Sequence, residues 1–135
     1  MFKFSKNSLL KLDTVHENLR LVMVETIKLT PIDFGITEGI RTIERAEQLK
    51  REGLSKAGSK SKHCIGKAVD IACYLNGKIT WQLDYYEGVA EVVGEVSELL
   101  DIPIRWGGSW ATGEFKLNRE MSFIDAVHFE LAEKR

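Results

Sequence analysis

The chain contains three histidines, and two of them stand in short stretches rich in other chemistry. The first stretch is Ser61-Lys62-His63-Cys64-Ile65-Gly66-Lys67-Ala68-Val69-Asp70; the second, far downstream, is Asp125-Ala126-Val127-His128-Phe129-Glu130. Together they offer two imidazoles and one carboxylate, His63, His128 and Asp70, with a further carboxylate, Asp125, just ahead of the later histidine. Donors of this kind make a catalytic zinc site with three protein ligands and one position left for water. A separate carboxylate can then take the proton of that water, which is the equipment of metal-assisted hydrolysis. The competing reading is ordinary packing. A lone strand histidine is more often a core or surface residue than a ligand, and an aspartate at a strand mouth often only caps a turn.

The elements that must position these groups are readable from pattern. In a strand over 126–131, alternation places Ala126, His128 and Glu130 on one face and Phe129 and Leu131 on the other. Glu130 then either hydrogen-bonds a metal-bound histidine or faces solvent. His63 ends a Gly/Ser/Lys-rich loop over 53–62, and Asp70 lies in a strand over 67–75 that suits burial on both faces. Gly66 between them allows a tight turn. The nearest approach to a helical His-Glu-x-x-His zinc motif is His16-Glu17-Asn18-Leu19-Arg20, with arginine in the second ligand position, so His16 reads as a solvated helix residue. Cys64 and Cys73 lack knuckle spacing and read as reduced, packed thiols. A closed site of His63, Cys64, Cys73 and His128 is the weaker alternative.

Apolar residues Leu9, Leu12, Val15, Leu19, Val22, Met23 and Ile27 predict one amphipathic helix over 7–29, capped by Asn7 or Ser8 and ended before Pro31. A short strand follows over 34–37, then a helix over 42–52 with Thr42 as its cap. Asn76-Gly77 is a hairpin turn with 78–80 as the return strand. A third helix covers 84–100 and is ended by Pro103; 104–106 is a strand broken by Gly107-Gly108, and 109–122 reads as a surface loop. Three helices with a small, mainly antiparallel sheet and no regular βαβ alternation make one α+β domain over 1–135. Trp81 is expected in the core. Trp106 and Trp110 flank the glycine pair, where small residues would let a substrate backbone approach; Trp110 can line a cleft or simply pack.

Net charge is −1, which argues against a generic nucleic-acid binder. The charge is uneven, with eight Lys/Arg against three acids over 41–67. Most of these are explained by a solvated helix and loop, but a positive rim beside the metal site would suit an anionic substrate or polymer. No apolar run approaches the roughly 20 residues of a membrane span, and no stable membrane association is expected. The first residues lack the apolar segment of a secretory signal, so synthesis and folding in the cytoplasm are expected, with any action elsewhere awaiting release.

Beyond the two stretches, Gly39-Ile40-Arg41-Thr42, Arg105-Trp106-Gly107-Gly108-Ser109-Trp110, the opening Phe4 to Ser8 and Pro31-Ile32-Asp33-Phe34 also carry a pattern. With Ser61-x-His63-x-x-Gly66-x-Ala68-x-Asp70 and Asp125-x-x-His128-Phe129-Glu130, the chain resembles the VanY-type zinc peptidases. These are the D-Ala-D-Ala carboxypeptidases and L-alanyl-D-glutamate endopeptidases of bacterial cell walls, which share a fold with the hedgehog signalling domain; the single-domain phage endolysins are the nearest in pattern. The resemblance implies zinc bound by His63, Asp70 and His128, with Asp125 as general base. It implies Arg41 on a substrate carboxylate or the developing oxyanion; Ser61 and Trp110 are candidate substrate contacts beside it. It also implies a peptidoglycan stem peptide as substrate, most simply at the L-Ala–D-Glu bond, and a monomer acting on the wall after release. Two positions depart from the family: Ser109 stands where aspartate is usual, and Ala46 where glutamine is frequent, with Gln48 the nearest amide. The alternatives that remain are a D-Ala-D-Ala carboxypeptidase and a non-catalytic wall-binding module that keeps zinc structurally.

Overall fold

A computed structural model describes residues 1–110, 112–119 and 124–133. Among these residues five strands form one sheet: β1 (Asp33–Glu38), β2 (Ala68–Leu75), β3 (Lys78–Thr80), β4 (Ile104–Trp106) and β5 (His128–Leu131). The path is β1-β2-β5-β4, with β3 also on β2, and every described pairing is antiparallel. Four α-helices among the described residues accompany it: α1 (Lys6–Leu12), α2 (Glu17–Leu29), α3 (Ile43–Arg51) and α4 (Leu83–Leu100).

Side-chain alternation divides the sheet into an apolar and a chemical face. Phe34 and Ile36 of β1, Val69, Ile71 and Cys73 of β2, Ile104 and Trp106 of β4 and Phe129 of β5 join α2 and α4 in one buried core. The helices contribute Leu19, Val22, Met23 and Ile27, and Val89, Ala90, Val93 and Val96. Trp106 and Phe129 stack at 6.2 Å in its floor. The intervening residues, Asp70, His128, Glu130 and Arg105, therefore project to the opposite face. Strict alternation would send Glu38 to the core with Ile36. A register shift between Ile36 and Glu38 instead pairs Glu38 with Asp70, so a bulge turns this carboxylate onto the chemical face.

Several expectations change in detail. The helix expected over 7–29 is two helices, because the chain turns at 13–16. Ser5 caps α1, rather than Asn7 or Ser8, and Ser8 is buried with its hydroxyl accepting the Ile36 N–H at 3.0 Å. His16 is not a residue within a helix: its Nδ1 caps α2 by accepting the Asn18 N–H at 3.0 Å. Its own N–H donates to Gly66 O, tying the break to the loop that carries His63. The 3.6-residue apolar rhythm runs through this break, so periodicity alone did not reveal it. Thr42 caps α3 as expected. Helix α4 ends at Asp101, which takes the left-handed conformation at φ 54°, two residues before Pro103. Asn76 and Gly77 both have positive φ, 53° and 77°, as a tight hairpin between right-twisted strands requires. Trp81 is not in the core; it is 65% exposed and lies flat against Tyr86 at 6.2 Å. Part of the loop expected over 109–122 lies outside the described residues. No helix among the described residues is long and apolar enough to cross a membrane.

Candidate metal centre and cleft

His63 rides on a short 3₁₀ turn over Lys62–Ile65, whose start is capped by Ser61 Oγ accepting the His63 N–H. Gly66 closes that turn in the left-handed conformation at φ 69°, with Thr14 O only 3.2 Å from where a Cβ would stand. Asp70 comes from the middle of the sheet, paired on one side with Glu38 and on the other with His128. The three chemical groups therefore depend on two strand registers and one tight turn. One ligand atom from each of His63, Asp70 and His128 lies within 4.8 Å of the others. The imidazoles stand edge to face at 4.9 Å.

Each imidazole has one nitrogen directed at Asp70 and the other held by a different partner. His63 Nε2 is 3.1 Å from Asp70 Oδ1, while its Nδ1–H donates to Gly39 O at 2.9 Å. His128 Nδ1 is 3.3 Å from Asp70 Oδ1, while its Nε2 is 2.8 Å from Glu130 Oε1. Lys62 Nζ in turn lies 3.1 Å from Glu130 Oε2. Such outer partners fix the orientation of a ligating imidazole and raise its basicity. His63 Nε2, Asp70 Oδ1 and His128 Nδ1 thus fit a metal that takes two nitrogens and one oxygen. Glu130 is accordingly a buried partner of His128 rather than a solvated residue. Neither cysteine enters this group: Cys73 lies in the core, where burial pushes its thiol up to about 12.

Electrostatics follow from the crowding. Burial opposes the charge of Asp70, yet hydrogen bonds with His128 and His63 hold its carboxyl well below the usual range. Burial likewise opposes the charge of His128, but Asp70 and Glu130 prevail and raise it to about 9. Asp125 moves the other way, raised first by burial and then by the nearby Asp70 carboxylate. Its backbone is fixed by Asp125 N–H to Gly107 O at 2.7 Å and by His128 N–H to Asp125 O at 3.0 Å. A half-buried carboxylate whose pKa is raised is a stronger base than a free one, which suits it to accept a proton.

A cleft of about 600 Å³ opens over this group. His63, Asp70, Asp125 and His128 line it, as do Arg41, Ser61 and Trp110. All seven site residues expected from the sequence therefore meet in one cleft. Trp110 stands 5.3 Å from the His128 ring and is held by Arg105, whose guanidinium lies 4.8 Å over the indole and donates to Trp110 O at 2.9 Å. Arg41 is buried, with Nε and Nη2 each 2.7 Å from the two oxygens of Glu38 and Nη2 3.5 Å from Asp70 Oδ2. The expected strand register fails at Ala126, which sits in a turn and joins the core, so that Val127 reaches the cleft instead. Gly107 and Gly108 are both buried. A Cβ on Gly107 would collide with Asp125 O and one on Gly108 with the Trp106 indole, so both spaces are filled by the protein itself. Gln48 bonds Arg45 and Glu52 rather than lining the cleft, and Ser109 is buried against Thr112 at 2.6 Å.

Glu38, Lys62 and Arg105 were not singled out by sequence reasoning. Glu38 reaches Arg41 through the bulge, at an i,i+3 spacing that lies outside any helix, and Lys62 reaches Glu130 across 68 positions of chain. Arg105 opens the Arg105-to-Trp110 segment of the resemblance but was given no role there; its place one residue before Trp106 on the alternation of β4 was the signal for its face.

A sequence model of the family described as phage L-alanyl-D-glutamate peptidase matches residues 1–132. The L-alanyl-D-glutamate peptidase of Escherichia phage T5 is 39% identical over 134 residues, spanning 96% of this chain and 98% of that protein. The peptidoglycan L-alanyl-D-glutamate endopeptidase CwlK of Bacillus subtilis is 30% identical over 91 residues, covering 58% of this chain and 54% of its own. Among solved structures, the L-Ala D-Glu endopeptidase ChiX of Serratia marcescens superposes with a TM-score of 0.82 at 28% identity, over 96% of this chain and 90% of that one.

Proposed function

The chain belongs to the phage L-alanyl-D-glutamate peptidase family, and from that premise we propose that it hydrolyses the L-Ala–D-Glu bond of peptidoglycan stem peptides. The observation that carries the reading is the convergence of His63, Asp70 and His128 in an open cleft, with Asp125 beside them. Two neutral imidazoles and one carboxylate would hold zinc with a site charge of about +1. When bound, zinc supplies Lewis acidity, polarising a carbonyl and making water a stronger acid.

The residues of the chain do the rest. Asp125 accepts the proton of the attacking water and returns it to the departing amine, a role its raised pKa supports. Arg41, clamped at Nε and Nη2 by Glu38, presents its remaining amino group to a substrate carboxylate or to the oxygen that gains charge. Ser61 keeps a hydroxyl hydrogen for a substrate carbonyl, since its oxygen already accepts the His63 N–H. Trp110 forms a rigid wall beside His128. All these groups come from one chain, so the monomer is the catalytic unit of this reading. The names of the relatives favour an endopeptidase over a D-Ala-D-Ala carboxypeptidase. An enzyme of this kind would act on the wall once released from the cell that made it.

Asp125→Ala provides the test. The variant should bind as much zinc as the wild type and release no stem peptides, whereas His128→Ala should lose both properties. Unchanged peptide release by Asp125→Ala would reduce the site to a structural metal centre.

A further inference from the structure

The cleft continues past the metal ligands along α3 and the 3₁₀ turn at Gly58–Lys60. Arg45, Leu49, Leu54, Lys56, Ala57 and Lys60 line this arm. Its cations and the carboxylates elsewhere in the cleft are differently placed. Asp70 and Glu130 sit at the metal group and Glu38 is held by Arg41. Among the cleft-lining residues the arm carries three cations and no carboxylate. The nearby Glu47 is turned to the Ser59 N–H at 2.7 Å.

We propose that this arm is the subsite for the leaving-group side of the substrate and that Arg45, Lys56 and Lys60 read carboxylates located beyond the cut. The inference rests on the peptidase reading above. Charge gives the direction. On the acyl side of an L-Ala–D-Glu bond the substrate offers one methyl-bearing residue and whatever blocks its amine. On the other side lie the carboxylates of D-Glu and of the residues after it. Leu49, Leu54 and Ala57 give the arm an apolar lining against which aliphatic parts of those residues can lie. Exposed cations of this kind steer and discriminate rather than supply tight binding. The arm therefore acts on KM and on salt dependence, leaving kcat to the metal group.

The test uses two N-acylated peptides containing the L-Ala–D-Glu bond, identical except that carboxylates on the residues after D-Glu are free in one and amidated in the other. The wild type should cleave the free-acid peptide with kcat/KM about tenfold higher, mostly through KM, and the advantage should shrink as salt rises. The combined variant R45Q/K56Q/K60Q should lose that advantage while keeping the wild-type kcat and zinc content. Equal cleavage of both peptides by the wild type, or a preference kept by the variant, would overturn the subsite and leave the peptidase reading standing. Cleavage of neither peptide by the zinc-loaded wild type would remove both.

Discussion

Asp70 and His128 share one charge balance at the residue scale. In the metal-free protein, His128 is raised from 6.5 to about 9 against the cost of its burial, because Asp70 and Glu130 accept its hydrogens. A folded pKa above the unfolded value stabilises the fold fully below about pH 6.5 and loses that contribution as pH rises through about 9. Melting temperatures in excess chelator should therefore fall between those limits more steeply than those of His128→Gln. Parallel slopes would mean that the imidazole is not held as described. Metal loading runs oppositely, since a ligating imidazole must be deprotonated. Glu130 gives a second check at this scale. It touches His128 Nε2 at 2.8 Å and Lys62 at 3.1 Å, so Glu130→Gln should weaken zinc binding by about 10–100-fold while leaving the fold intact. Competition with a chromophoric chelator measures this, and unaltered affinity would show Glu130 to be a bystander.

At the scale of elements, the site depends on a few close backbone approaches. Gly107 lets the turn bearing Asp125 lie against the end of β4, where a Cβ would collide with Asp125 O. Gly107→Ala should cost roughly 1–3 kcal/mol in a denaturant melt through overpacking and lower activity together with stability. Gly77→Ala is the contrast: nothing lies within 4 Å of its Cβ, but φ is +77°. It should cost about 1–2 kcal/mol through backbone strain alone and leave the activity of the folded fraction untouched. The same distinction governs what was legible in the sequence. His63, Asp70, Asp125 and His128 carry their chemistry in residue type, and Asn76-Gly77 carries its turn in backbone preference. Strand alternation placed His128 and Glu130 together correctly. It misplaced Ala126 because a turn, not the strand, precedes His128. Glu38 was hidden because only the β1 bulge turns it toward Arg41, and a bulge has no signature in the alternation of Phe34, Ile36 and Glu38. Trp81, which follows the hairpin, was expected inside, yet it stays 65% exposed with its ring stacked on Tyr86. The break at 13–16 escaped because Val15 keeps the helical apolar rhythm, while a histidine cap is a weak start signal beside Ser, Thr, Asp or Asn.

For the whole molecule, one sheet serves two solvents. Its apolar face is sealed by α2 and α4, and its other face holds the metal ligands beneath an open cleft. The ligands come from the turn before β2, from β2 itself and from β5, so a bound metal joins segments 58 positions apart in the chain. Zinc at 100 times its Kd should stabilise the protein by about 2.7 kcal/mol, seen as a melting temperature that drops on chelation and returns on zinc addition. A melting temperature indifferent to both would place the metal elsewhere. The central claim is the bond that this centre breaks, and its most direct measurement is mass spectrometry of purified peptidoglycan after digestion, with and without chelator. The account predicts new N-terminal D-Glu that disappears when chelator is present. Free D-Ala as the product, or new termini that form equally well in chelator, would contradict it.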